Sequence, residues 1–148
     1  MTELETLYQE ANDNEIEVFS AYFSPVKKAA CICCGTFNVV LDHEKMESDA
    51  EEAEMLAHEM THIKSGHLSF IVGTANTRIA RVNRAYYEAA TNRETVFELL
   101  PKEKLQKAIY SEGMDYWKIA DYCGRTTDFV KKAFEVYDNM GIVFEVLE

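Results

Sequence analysis

Two histidines four residues apart, His58 and His62, lie in a stretch with every local mark of a helix, and they constrain the chain more than any other feature. Ser48 stands at a capping position, Glu51 occupies the capping-box position, and Asp49 adds negative charge to the first turn. On a helix, positions four apart share one face. Both imidazoles of Leu56-Ala57-His58-Glu59-Met60-Thr61-His62 can therefore aim at one ion. Zinc suits them best, because it takes nitrogen ligands at about 2.0–2.1 Å in tetrahedral geometry. Glu59 follows His58 with a turn of roughly 100°. It is near such an ion without being compelled to bind it, which is where a general base for water belongs. Leu56, Ala57, Met60 and Ile63 can bury the helix and keep the site dry.

A catalytic zinc needs a third protein ligand. His67 is a poor one, since a continued helix would turn it about 140° away from His62. Its remaining readings are a polar residue near the helix end or a group on the substrate side. A carboxylate from the next helix, expected over 75–100, is the alternative, with Glu88, Glu94 and Glu98 as candidates. Glu88 is favoured: Ala89 and Ala90 permit close helix packing, and Asn92, four residues on, could hydrogen-bond the ligand.

The rest of the chain is read around this helix. Thr2 and Glu5 have capping-box spacing, and the first helix should stop at Asn12-Asp13-Asn14. Residues 15–23 alternate like a strand. The runs 29–34 and 36–41, split by Gly35, read as a hairpin or as one bulged strand. Cys31, Cys33 and Cys34 fall in the first of these runs, without zinc-knuckle spacing, so the cluster reads as structural. Pro101 closes the second long helix, and three short helical patterns follow, with residues 142–146 as a possible last strand. The division is therefore a core over 1–101 and a helical tail over 102–148 packed on it.

Composition narrows the function. The chain carries 148 residues, is 47% apolar and has a net charge of −11. That is enough for a packed core and too acidic for nucleic acid unless the charge segregates. It does not segregate strongly: from residue 102 onward seven basic residues face nine acidic ones. The tail is therefore read as protein-facing, and direct nucleic-acid binding is disfavoured. No apolar run is long enough for a membrane span, and MTELETLYQE lacks a secretory leader, so the cytoplasm is the default compartment.

In order, Glu15-Ile16-Glu17-Val18, Phe37-Asn38-Val39-Val40-Leu41, Ala57-His58-Glu59-Met60-Thr61-His62, Glu88-Ala89-Ala90-Thr91-Asn92-Arg93 and Leu99-Leu100-Pro101 resemble the ImmA/IrrE family of metallopeptidases. The resemblance runs from about residue 3 to 140. It departs from the family pattern at Met60 and Thr61, at Thr91 where Ala is usual, and at Glu94-Thr95. These departures bear on helix packing and leave the candidate ligands in place. The likeness implies an α+β, zincin-like core with a small antiparallel sheet and a helix-turn-helix-like tail. It further implies zinc at His58, His62 and Glu88, Glu59 as catalytic base, and a protein substrate such as a helix-turn-helix repressor of a phage or mobile element. An edge strand of the sheet could pair with extended substrate. Two rivals stand beside this endopeptidase expectation: an anti-repressor that holds its target without cutting it, and a metal-free transcription regulator.

Overall fold

The computed structural model describes residues 1–66 and 78–147. They form a mixed α+β fold with six α-helices and one three-stranded sheet among the described residues. Helix α1 (Glu3–Asp13) starts on a complete capping box, with Thr2 and Glu5 each accepting the other's backbone N–H. It ends at Asn14, and Glu15, in the left-handed region at φ 58°, turns the chain into β1.

Strands β1 (Ile16–Ser20), β2 (Ala29–Cys34) and β3 (Thr36–Leu41) lie in the order β1-β3-β2. Gly35, at φ 80°, makes the tight turn between β2 and β3, so the two apolar runs are a hairpin. The expectation of an antiparallel sheet is corrected on its other side. There β1 pairs with β3 in parallel, with Val18 opposite Val39. The cause is strand order: β3 inserts between β1 and β2, so it returns in the direction of β1. As the central strand, β3 buries Asn38, Val39, Val40 and Leu41, the near-continuous burial expected of a strand covered on both faces.

Helix α2 (Asp49–Lys64) packs on α1, β2 and β3. Ser48 caps it by accepting the N–H of Glu51. The Glu51 carboxylate does not reach back to Ser48; it accepts the N–H of Glu47 and pairs with Lys28. A short 3-10 turn, His43–Lys45, precedes α2. One imidazole there ties several elements: His43 Nδ1 meets Ser20 Oγ at 2.7 Å, and its Nε2 lies 3.0 Å from Glu52, which also accepts from Tyr8 Oη.

Helix α3 (Arg78–Leu99) is long, and the chain separates inside it into two compact units, residues 1–91 and 92–148. In the second unit, α3 ends at Leu99, and α4 (Lys102–Glu112), α5 (Tyr116–Cys123) and α6 (Thr127–Asn139) follow Pro101. Asp115 and Thr126 cap α5 and α6, and Gly124 closes α5 in the left-handed conformation at φ 67°. Leu99, Leu100, Leu105, Ile109, Ile119, Val130 and Ala133 fill the core of this unit.

Residues 142–146, read as a possible strand, form none among the described residues. Their backbone finds a different partner. The Gln106 side-chain amide donates to Glu145 O at 2.8 Å and accepts from Glu145 N at 2.9 Å. Phe144 packs against the rings of Phe134 and Tyr137. Among the described residues, no helix is long and apolar enough to cross a membrane.

Candidate metal centre

Helix α2 presents His58 and His62 on one face, as their spacing requires. Their rings meet edge-to-face with centroids 4.7 Å apart. The face is set by burial on the other side: Leu56, Ala57 and Met60 are in the core, and Thr61 Oγ1 donates to Ala57 O within the helix. His62 is almost fully buried, while His58 is partly open.

The third member comes from α3. Glu88 Oε1 lies 2.9 Å from His62 Nε2, and Glu88 Oε2 lies 3.1 Å from His58 Nε2. The two Nε2 atoms are themselves 3.1 Å apart. His58, His62 and Glu88 could hold a metal ion. For ligand bonds of about 2.0–2.1 Å in a tetrahedron, donor atoms stand roughly 3.3 Å apart. The two imidazole nitrogens need to part by only a few tenths of an ångström, and one donor atom from each of the three residues lies within 4.8 Å of the others.

The donor chemistry points the same way. Two ring nitrogens and a carboxylate facing one another offer more lone pairs than protons to share. A cation satisfies all three at once. The hydrogen bonds from His58 and then His62 hold the Glu88 carboxyl well below the usual carboxylate range, against the opposing effect of burial. Glu88 is thus an anion, as a ligand must be. Its side chain is 47% exposed, so one side of the group is open to solvent.

His62 is fixed from behind. Its Nδ1 and Thr91 Oγ1 share a hydrogen bond of 3.0 Å. With Nε2 turned toward a cation, Nδ1 carries the ring proton and donates to Thr91, which locks tautomer and ring plane. The sequence reading assigned Thr91 to helix packing and looked to Asn92 for support of the ligand. Asn92 is half-buried one turn beyond Glu88, and no hydrogen bond joins the two among the described residues. The available signal was a hydroxyl three residues from Glu88, nearly one helical turn away.

Glu59 is half-buried on α2 beside His58. Cys31, on β2, meets it. Burial pushes the Cys31 thiol well above its ordinary range, and a hydrogen bond to the Glu59 carboxylate and the charge of Glu88 push it further. Cys31 therefore stays a protonated thiol beside Glu59. Strand geometry for residues 29–34 was legible, but nothing in the spacing of Cys31, Cys33 and Cys34 announced this neighbour. Cys31 and Cys33 are free, and neither joins the metal-competent group. Glu94 and Glu98 are also outside that group, both exposed further along α3. His67 lies outside the described residues. No family model, curated protein or solved structure matches this chain.

Proposed function

We propose that this protein is a zinc-dependent endopeptidase of ImmA/IrrE type, acting on a specific protein inside the cytoplasm. One observation carries the reading: one ligand atom from each of His58, His62 and Glu88, on two helices, lies within 4.8 Å of the others, with the carboxylate of Glu59 following His58 on α2. The resemblance in the order of motifs supports it. A zinc ion bound by His58, His62 and Glu88 supplies a Lewis acid that polarises a carbonyl and acidifies water near neutral pH.

The chain's own residues do the remainder. Glu59 takes a proton from the attacking water and returns it to the leaving amine nitrogen. The Cys31 thiol stays protonated beside Glu59, and Thr91 holds the His62 ring in place. By the resemblance, the substrate is a helix-turn-helix repressor of a phage or mobile element. The non-cleaving anti-repressor is the rival reading and uses the same group without Glu59 chemistry.

Metal analysis of purified protein, paired with mass-spectrometric detection of cleavage in a protein-derived peptide mixture, tests the proposal. We expect about one equivalent of zinc, lost in His58→Ala and Glu88→Ala. New peptide termini should appear with wild type and not with Glu59→Gln. A folded protein without stoichiometric metal overturns the reading. Cleavage undiminished in Glu59→Gln overturns the assigned base.

A further inference from the structure

Four side chains outside the metal group join α1, β1, the 3-10 turn and α2 in one line of hydrogen bonds. Ser20 Oγ lies 2.7 Å from His43 Nδ1. His43 Nε2 lies 3.0 Å from Glu52 Oε1, and Tyr8 Oη donates to Glu52 Oε2 at 3.0 Å. One arrangement of protons satisfies the whole line. Burial, and then the hydrogen bond to Glu52 and its charge, hold the Tyr8 phenol well above its ordinary range, so it remains a donor. An ionised Glu52 can only accept, so the ring must turn an N–H toward it at Nε2. A neutral ring then keeps its lone pair on Nδ1, where it accepts from the Ser20 hydroxyl. The opposite tautomer would set a lone pair against the carboxylate. The result is a hydroxyl facing a base whose other nitrogen is oriented by an acid, which is the arrangement that activates a serine.

Exposure is graded along the line. The Glu52 side chain is 13% exposed and that of His43 38%, while Ser20 is open to solvent. The backbone adds a further donor. Strand β1 lies at the edge of the sheet with β3 as its neighbour. Ala21 N donates to Leu41 O at 3.0 Å, so the alternation of a parallel ladder turns the N–H of Ser20 to the open edge. A donor there, beside the hydroxyl, can meet a developing oxyanion. Ser20 and His43 also stand at the carboxyl ends of the parallel strands β1 and β3, the end where ligands gather in open α/β sheets. Tyr22 and Phe23, both exposed, follow Ser20 and offer apolar surface to an acyl group.

We propose that Ser20 is a nucleophile toward neutral carboxylic esters, with His43 as its general base and Glu52 as the positioning residue. The proposal does not depend on the metal group. Ser20 Oγ bonds to the ester carbon while its proton passes to His43 Nδ1. The tetrahedral oxyanion collapses, the bond from carbon to the leaving oxygen breaks, and that oxygen takes the proton from His43. Water then attacks the acyl carbon, gives its proton to His43, and Ser20 Oγ leaves and recovers it. The net change is ester plus water to acid plus alcohol. Neutral esters are favoured because a chain of net charge −11 repels anionic ones.

The test treats the full-length protein with an alkyl fluorophosphonate, in which the new bond from oxygen to phosphorus displaces fluoride. Peptide mass spectrometry locates the adduct. We expect it at Ser20, forming at least about 100-fold faster than on N-acetylserinamide. His43→Gln should slow labelling by a similar factor. Glu52→Gln should slow it about tenfold or more, and Glu52→Asp, which keeps a carboxylate, should recover part of the loss. With p-nitrophenyl butyrate, a burst of about one equivalent of nitrophenolate should appear and vanish in Ser20→Ala. Circular dichroism reports the fold of each variant. If His43→Gln or Glu52→Gln does not fold, the adduct position and rate in the unaltered protein decide. No adduct at Ser20, labelling no faster than the model serine, or a rate unchanged in folded His43→Gln or Glu52→Gln overturns the proposal. Absence of a burst overturns the ester assignment.

Discussion

In residues 1–91, helix α2 buries Thr61 and His62 alongside Leu56, Ala57 and Met60, whereas in residues 92–148 the helices bury Leu105, Ile109, Ile119, Val130 and Ala133. Burying a polar group is costly unless it finds a partner. In the first region the partners are other side chains: His62 meets Thr91, His58 and Glu88. In the second, the phenol of buried Tyr137 donates to the main chain at Leu100 O, 2.8 Å away, and so completes a helix end. The same expense thus serves different ends. One region gathers metal-competent side chains at a point, and the other uses the Tyr137 phenol to finish backbone.

The largest expected effect lies in the first region. Glu59→Gln should lower peptide hydrolysis by about 10²–10⁴-fold, the range for losing a general base, with zinc content intact by elemental analysis. In the second region, Leu105→Ala should cost about 2–5 kcal/mol in a denaturant titration and leave zinc stoichiometry unchanged. If metal is lost in step with that destabilisation, the two regions are not independent and the comparison fails. A smaller effect should follow Thr91→Val, which keeps the shape and removes the hydroxyl. Zinc affinity measured against a competing chelator should fall about 10–100-fold. No change there would mean that the His62 ring is held by packing alone.

The smallest effect belongs to Tyr137. Burial, and then the charge of Glu103, raise its pKa to about 12. The unfolded phenol ionises near pH 10, so folding is favoured fully below that value and loses this contribution as pH climbs toward about 12. Tyr137→Phe should flatten that alkaline decline in stability and cost about 1 kcal/mol at neutral pH. Zinc content should not respond.

What could be read ahead of the structure was short in range. Thr2 with Glu5, Ser48 with Glu51, and His58 with His62 each act within a turn of helix, so spacing alone exposes them. Glu88 was singled out for the small neighbours Ala89 and Ala90, yet Ala89 is exposed and Ala90 only half-buried, so the residue was right and the packing reason was not. The parallel pairing of β1 with β3 was not legible, since an apolar run has the same pattern whichever neighbour it takes. Thr91 and Cys31 escaped for a related reason: each meets a group far along the chain, on a different element. Residues 142–146 alternate as a strand would, yet their backbone is satisfied by the side chain of Gln106, which no periodicity encodes.

Glu88 reaches across from α3 to both imidazoles of α2, and this has a mechanical meaning besides its chemical one. It closes the chain between His62 and Glu88 into a loop, and a cation shared by the three would fasten that loop as a cross-link does. Stripping the ion with a chelator would then be felt along the backbone, as faster amide hydrogen exchange at the start of α3, even under conditions where no bond is being cut.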